Sequence, residues 1–292
     1  MIQKILNLIK LFDQKGFFAL VLYLLTKLKL INWNFNDYYG KSNIHTPAFL
    51  KIRKIILNKI FNISKNRVLS GPYKSTYLYK EKINKAYFFS SQLIGCYEMQ
   101  VQEKIIDIQT KYSLNNIVNF GAGNGFHVLG LVKNNFFKNG FCYEINPEQR
   151  RILRINIIKN RIKDKVSVYN EASIFKVNSL LSKKELKKTL FLIDIEGSEF
   201  TLINKETINY IKDSYLIIEN HSFNSSKKIL IRFWQIIDYY FNYELLHPSS
   251  RNPLIIKELS CLTEDEKWIA VSENRRLMNW IVCVPKKISL KH

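Results

Sequence analysis

The run "NIVNFGAGNGFHVLGLV", Asn116 to Val132, decides how this chain is read. It opens as a short apolar strand, turns through Gly121, Gly123 and Gly125, and continues as the start of a helix. Glycine takes positive φ and lets backbone approach a ligand closely, so strand, glycine turn and helix together cradle a nucleotide-like cofactor. The dinucleotide fingerprint spaces its glycines G-x-G-x-x-G. Here the third glycine comes one residue early, and Phe126 stands where that pattern wants a small residue. The spacing argues against a tight pyrophosphate turn and suits a cofactor without one, such as S-adenosylmethionine.

Working outward, apolar runs alternate with helical ones. "IVNF" (117–120), "GFCYE" (140–144), "VSVYN" (166–170), "LFLIDI" (190–195) and "YLIIEN" (215–220) read as strands. Between them, "NPEQRRILRINIIKN" (146–160) reads as a helix with Asn146 as N-cap and Pro147 at the first helical position. Short Ile- and Val-rich runs alternating with helices imply a buried parallel sheet covered on both faces, an α/β Rossmann-like fold. Downstream, "SSKKILIRFWQIIDYYF" reads as a helix, and "YELL" and "NWIVCVP" as two last strands forming an antiparallel hairpin at the sheet edge.

Upstream, "SSQLIGCYEMQVQEKIIDIQTKY" (90–112) reads as one helix leading into the glycine strand. "SGPYKS" (70–75) carries a Gly-Pro turn signal and marks a boundary. The expected organisation is a helical, basic N-terminal region over 1–70, a connector over 71–112 and the α/β domain over 113–292.

The ends of the strands carry the chemistry. Glu144, about twenty residues past the glycines, is placed to accept hydrogen bonds from ribose hydroxyls. Glu171 and Ala172 follow the third strand, where an acid can take an adenine amino group. Asp194 and Glu196 are two apart and so leave one face of a strand, and Glu219 and His221 repeat that arithmetic on the next strand. Three carboxylates and an imidazole thus converge where the cofactor is expected. Buried strands seldom carry unpaired acids, so the cluster needs a use or a compensating partner.

Composition sets the limits. The chain has 292 residues, is 47% hydrophobic and 13% aromatic, and carries a net charge of +21. That charge suggests an anionic partner such as nucleic acid, an acidic glycan or a membrane surface. The joint richness in Lys, Asn and Ile favours compositional drift instead, and the basic residues form no tail. Cys96, Cys142, Cys261 and Cys283 form no CxxC pair and lack a His at metal-ligand spacing, so free thiols in a reducing, cytoplasmic compartment are expected. "GFFALVLYLL" (16–25) is about half the length of a membrane span. It reads first as a helix packed on the main domain, and second as a peripheral contact on the inner membrane face.

Together, "VNFGAGNGFHVLGLV", "FCYEINPE", "FLIDIEGSEF" and "IIENH" resemble the FkbM-type group of class I S-adenosylmethionine-dependent methyltransferases. The resemblance covers roughly Ser113 to His221. It implies a mostly parallel seven-stranded sheet with helices on both faces and methyl transfer to a hydroxyl of a glycan or related small molecule. For the cofactor it implies contacts from Asn119, Gly121, Ala122, Gly123, Gly125, Glu144, Asn146, Glu171, Ala172 and Asp194. Asn119 departs from the aspartate usual at the end of the first strand and so lacks a charge. "SGPYKSTYLY…LIGCYEMQ" looks like a segment preceding this domain in related bacterial proteins, which brings Tyr97 and Glu98 toward the cofactor or acceptor.

The catalytic expectation centres on Asp194, Glu196, Glu219 and His221, with His221 or Asp194 as base. A divalent metal on the same four residues is the less favoured version. The rivals are an RNA ribose 2′-O-methyltransferase, motivated by the charge, and a non-catalytic membrane-associated protein of glycan assembly. Base methylation is disfavoured, because Asp-Ile-Glu-Gly replaces an Asn/Asp-Pro-Pro-aromatic strand end. A nicotinamide dehydrogenase is disfavoured by the glycine spacing.

Overall fold

The computed structural model describes residues 47–79, 89–273 and 278–286. The stretch 16–25 therefore lies outside the described residues. Seven strands form one sheet: β1 (Asn116–Phe120), β2 (Asn139–Tyr143), β3 (Val166–Tyr169), β4 (Thr189–Ile193), β5 (Tyr215–Glu219), β6 (Phe241–Leu246) and β7 (Trp280–Pro285). Their order is β3-β2-β1-β4-β5-β7-β6, parallel from β3 to β5 and antiparallel at β7. This is a Rossmann-like α/β arrangement, mostly parallel with an antiparallel edge. The order reverses between β1 and β4, so the crevice beyond the carboxyl ends of those strands is the expected ligand site.

Strand alternation divides the apolar residues between two cores. Ile117, Leu190, Leu192 and Ile217 belong to one, and Val118, Phe120, Phe191, Ile193, Leu216 and Ile218 to the other. The first core is closed by α1 (Pro47–Ser64), α2 (Phe89–Ile94), α3 (Met99–Tyr112), α4 (Phe126–Lys133), α5 (Pro147–Asn160) and, late in the chain, α11 (Glu264–Val271). The second is closed by α6 (Ile174–Leu180), α7 (Lys183–Leu186), α8 (Glu199–Leu202), α9 (Ile208–Ile211) and α10 (Lys227–Tyr240). α5 begins as its sequence predicts: Asn146 Oδ1 accepts from the backbone of Glu148 and Gln149, and Pro147 follows. From α1, Ile56, Leu57, Ile60 and Phe61 share the first core with the sheet, across the turn at 70–75.

Three local readings change. The run 90–112 is two helices, because Gly95 (φ 96°) and Glu98 (φ 46°) are left-handed and break the helical path. A Cβ on Gly95 would lie 2.0 Å from the Ser70 carbonyl oxygen, so the break is set by close backbone packing. The fourth strand ends at Ile193, two residues short of Ile195, and Glu196 is itself left-handed (φ 56°). β6 and β7 do pair antiparallel at the edge, but they are not joined by a hairpin turn. Between them the chain leaves the sheet, passes through two short 3-10 turns (Pro253–Ile255 and Lys257–Leu259) and forms α11.

Candidate active site

A cavity of about 930 Å³ opens at the carboxyl ends of the parallel strands, within the size range of small-molecule and cofactor pockets. The glycine turn forms its floor. Gly121 and Ala122 both donate to the Tyr143 carbonyl, tying the turn to the end of β2. Gly121 needs its φ of 81°, and a Cβ there would lie 1.7 Å from the Asp194 carbonyl oxygen. A Cβ on Gly123 would meet nothing within 4 Å, so this glycine leaves open space in the cradle. Gly125 does not line the cavity; a Cβ there would strike Leu153 at 2.4 Å, so its smallness serves the packing of α4 on α5.

Glu144 lies just past β2 and is held on both oxygens. Oε2 accepts from Gly123 N at 2.7 Å, and Oε1 accepts from Asn146 N at 2.7 Å. Two backbone amides fix the carboxylate at the cavity wall, and each oxygen keeps a further lone pair. Asn119 also lines the cavity, but its amide donates to the carbonyls of Leu192 and Phe120, pinning β1 to β4. Asn146, Glu171 and Ala172 line the far end; Glu171 is exposed and lies 3.8 Å from Lys176.

Part of the wall comes from segments far from the glycine motif in sequence. Glu98 is buried, and its carboxylate is 2.8 Å from His127 Nε2. His127 Nδ1 lies 3.2 Å from the Tyr73 hydroxyl. Burial, with the Glu98 charge second, raises the Tyr73 pKa well above its usual value, so the phenol stays protonated. Glu98 N donates to Glu273, which pairs with Arg251 at 2.7 Å. Tyr97, Glu98, His127, Glu273 and Trp280 all line the cavity.

The acid cluster at β4 and β5 has two layers. Asp194, just past β4, lines the cavity; its Oδ1 is buried and has no hydrogen-bond partner. Burial first, then the Glu219 carboxylate, raise its pKa well above the ordinary aspartate value. Glu196 also lines the cavity, but its side chain is 87% exposed because the left-handed turn carries it off the strand face. Glu219 and His221 are buried and lie in the layer behind, outside the lining residues.

Glu199 was not assigned a role by the sequence reading, and it organises this layer. It is fully buried and accepts from Ile195 N and Gly197 N, each at 2.9 Å. Its Oε1 also lies 3.0 Å from His221 Nδ1. The ring's other nitrogen, Nε2, faces Glu219 at 3.5 Å and Glu196 at 3.6 Å. Burial opposes the charged imidazole, but the Glu199 hydrogen bond and the surrounding carboxylates outweigh it and raise the His221 pKa above the usual histidine value. The available signal was the second glutamate of "EGSE": four residues past Ile195 on a tight turn, an acid can reach back to the turn's own amides.

Six carboxylates line the cavity: Glu98, Glu144, Glu171, Asp194, Glu196 and Glu273. Among the described residues no lysine or arginine does, in a chain with 45 of them. Among the described residues six buried side-chain polar atoms lack a partner, and three of them belong to lining residues: the Tyr143 hydroxyl, Asp194 Oδ1 and the Trp280 indole nitrogen. Such atoms are rare in folded proteins, and a ligand in the cavity could satisfy these three.

No family model matches the chain, and no curated protein matches it. Solved structures resemble it at low identity. An rRNA methylase from Streptococcus thermophilus is 10% identical, covering 65% of this chain and 96% of its own, with a TM-score of 0.44. The cofactor-bound Rv0187 from MTB is 10% identical over 85% of this chain and 93% of its own, with a TM-score of 0.43. A Precorrin-6y C5,15-methyltransferase from Geobacter metallireducens is 13% identical over 65% and 88%, with a TM-score of 0.40. At such identities and scores, function has to be argued from this chain's own residues.

Proposed function

We propose that this protein is an S-adenosylmethionine-dependent O-methyltransferase acting on a hydroxyl of a glycan or related small molecule. One observation carries the reading: a glycine cradle and Glu144 sit at the switch point of the sheet, in a cavity lined by six carboxylates and, among the described residues, by no lysine or arginine. A nicotinamide dinucleotide brings an anionic pyrophosphate, which such a wall repels. S-adenosylmethionine, with a sulfonium and an ammonium against one carboxylate, carries a net positive charge, which it attracts. Glu144 is placed to accept from ribose hydroxyls through its free lone pairs, with Glu171 and Ala172 beyond it toward the base.

When bound, this donor supplies an electrophilic methyl group: the C–S bond breaks with its electron pair returning to sulfur, and the carbon bonds to the acceptor oxygen. The protein's part is alignment and removal of the hydroxyl proton. Asp194 and Glu196 face the cavity from the β4 end and are the groups placed to hold the acceptor hydroxyl and take its proton. The buried His221 acts from behind them. Glu98, held by His127, offers a second acceptor for hydroxyl hydrogen bonds. The FkbM-type resemblance supports a glycan-like acceptor, and a neutral polyhydroxyl compound suits a wall rich in hydrogen-bond acceptors.

Calorimetric titration tests the reading, with S-adenosylmethionine against NAD. Saturable binding of the first, no binding of the second, and at least tenfold weaker binding to Glu144→Ala are expected. NAD binding of similar strength would overturn it.

A further inference from the structure

We propose that Asp194, Glu219 and His221 form a binding site for a first-row divalent cation of the manganese class. One atom from each, two carboxylate oxygens and a ring nitrogen, lie within 4.8 Å of one another. Ligands around 2.0–2.2 Å from a metal stand about 3 Å apart when adjacent, so modest side-chain movement closes the set.

Two further observations point to a ligand. Asp194 Oδ1 is a buried acceptor without a partner. His221 is also held in the manner of a metal-binding imidazole. Glu199, itself fixed by the amides of Ile195 and Gly197, takes the Nδ1 hydrogen. That leaves Nε2 toward Glu219 at 3.5 Å, with Glu196 at 3.6 Å. A carboxylate on the far nitrogen is the usual support of a ligating histidine, fixing both tautomer and ring orientation. Glu199 is thus a positioning residue, not a ligand. The mixed oxygen and nitrogen set, without thiolate, suits manganese better than magnesium, which prefers oxygen alone.

The site's chemical use rests on the methyl-transfer reading; the binding does not. A cation held at Asp194 would sit at the cavity wall and lower the pKa of an acceptor hydroxyl beside it. The hydroxyl proton would then pass to Glu196 at the rim, and the methyl carbon would bond to the oxygen as the C–S bond breaks.

The test is manganese binding to the full chain, read by electron paramagnetic resonance of free Mn2+ and by calorimetry, without any methyl donor. One equivalent should bind, with at least tenfold loss in Asp194→Asn, Glu219→Gln and His221→Gln. Asp213→Asn, at an exposed carboxylate outside the cavity lining, should bind as the unsubstituted protein does. Glu199→Gln should weaken binding less than loss of a ligand. Retained S-adenosylmethionine binding in the Glu219 and His221 variants shows that they are folded. Absence of saturable manganese binding in protein that binds S-adenosylmethionine, or binding unchanged by all three substitutions, overturns the site. Manganese binding without S-adenosylmethionine binding would keep the site and remove the methyl-transfer reading instead.

Discussion

At the scale of the residue, a few buried acids do most of the organising. Glu199 satisfies two turn amides and one imidazole at once. Glu199→Ala leaves those partly buried amides unpaired, each at up to about 1–3 kcal/mol. We expect a thermal midpoint several degrees lower, and a smaller drop for Glu199→Gln, measured by circular dichroism melts. The cysteines give an independent check on burial. Burial pushes the Cys96 thiol up to about 12 and raises Cys142 and Cys283 further, whereas Cys261 is exposed. Because the thiolate is the reactive form, iodoacetamide at neutral pH should label Cys261 in the folded protein and the other three only after unfolding. Peptide mass spectrometry reads this directly.

At the scale of the element, the glycine turn and its supports act as one piece. Gly121→Ala forces a side chain into a left-handed backbone, at about 1–3 kcal/mol. It also pushes on the Asp194 carbonyl. Loss of S-adenosylmethionine binding together with reduced stability is the expected outcome, by calorimetry and thermal melts. α4 carries a second tight contact: a Cβ on Gly130 would lie 2.2 Å from the Tyr73 ring. Gly130→Ala should therefore displace Tyr73, release His127 and cost about 1–3 kcal/mol by overpacking. A stable Gly130→Ala protein with unchanged donor affinity would show that the Tyr73–His127–Glu98 chain does not shape the site.

At the scale of the whole molecule, two facts stand against each other. The chain carries a net charge of +21, and the cavity is lined by acids. Nucleic acid held by the surface charge alone should let go steeply as salt rises. We expect RNA binding by filter retention to vanish by about 150 mM salt and to be indifferent to S-adenosylmethionine; methyl transfer to RNA at that salt would favour the ribose reading. Among the described residues no helix is long and apolar enough to cross a membrane. α1 shares the core of the sheet through Ile56, Leu57, Ile60 and Phe61. Burying four such side chains contributes about 6–12 kcal/mol as an upper figure, comparable with the whole net stability of a domain. A chain starting at Ser70 should thus be insoluble or unfolded by circular dichroism.

What the sequence determined by itself was local and periodic. Apolar runs of strand length between helices specified the parallel sheet, because strands buried on both faces must be apolar throughout. The glycine spacing marked the tight turn after β1, because its three positive-φ positions favour glycine, and Asn146-Pro147 marked the start of α5. The positions of Glu144 and Asp194 just past strand ends were legible for the same reason. The tertiary structure decided everything carried by long chain separations. It alone placed Glu98 beside His127 and Glu273, brought the excursion between β6 and β7 back to the cavity, and turned Glu196 outward where strand alternation put it on the face of Asp194. It also showed Glu199 reaching back to His221. These positions depend on which segments pack together and on left-handed turns, and neither leaves a period in the sequence.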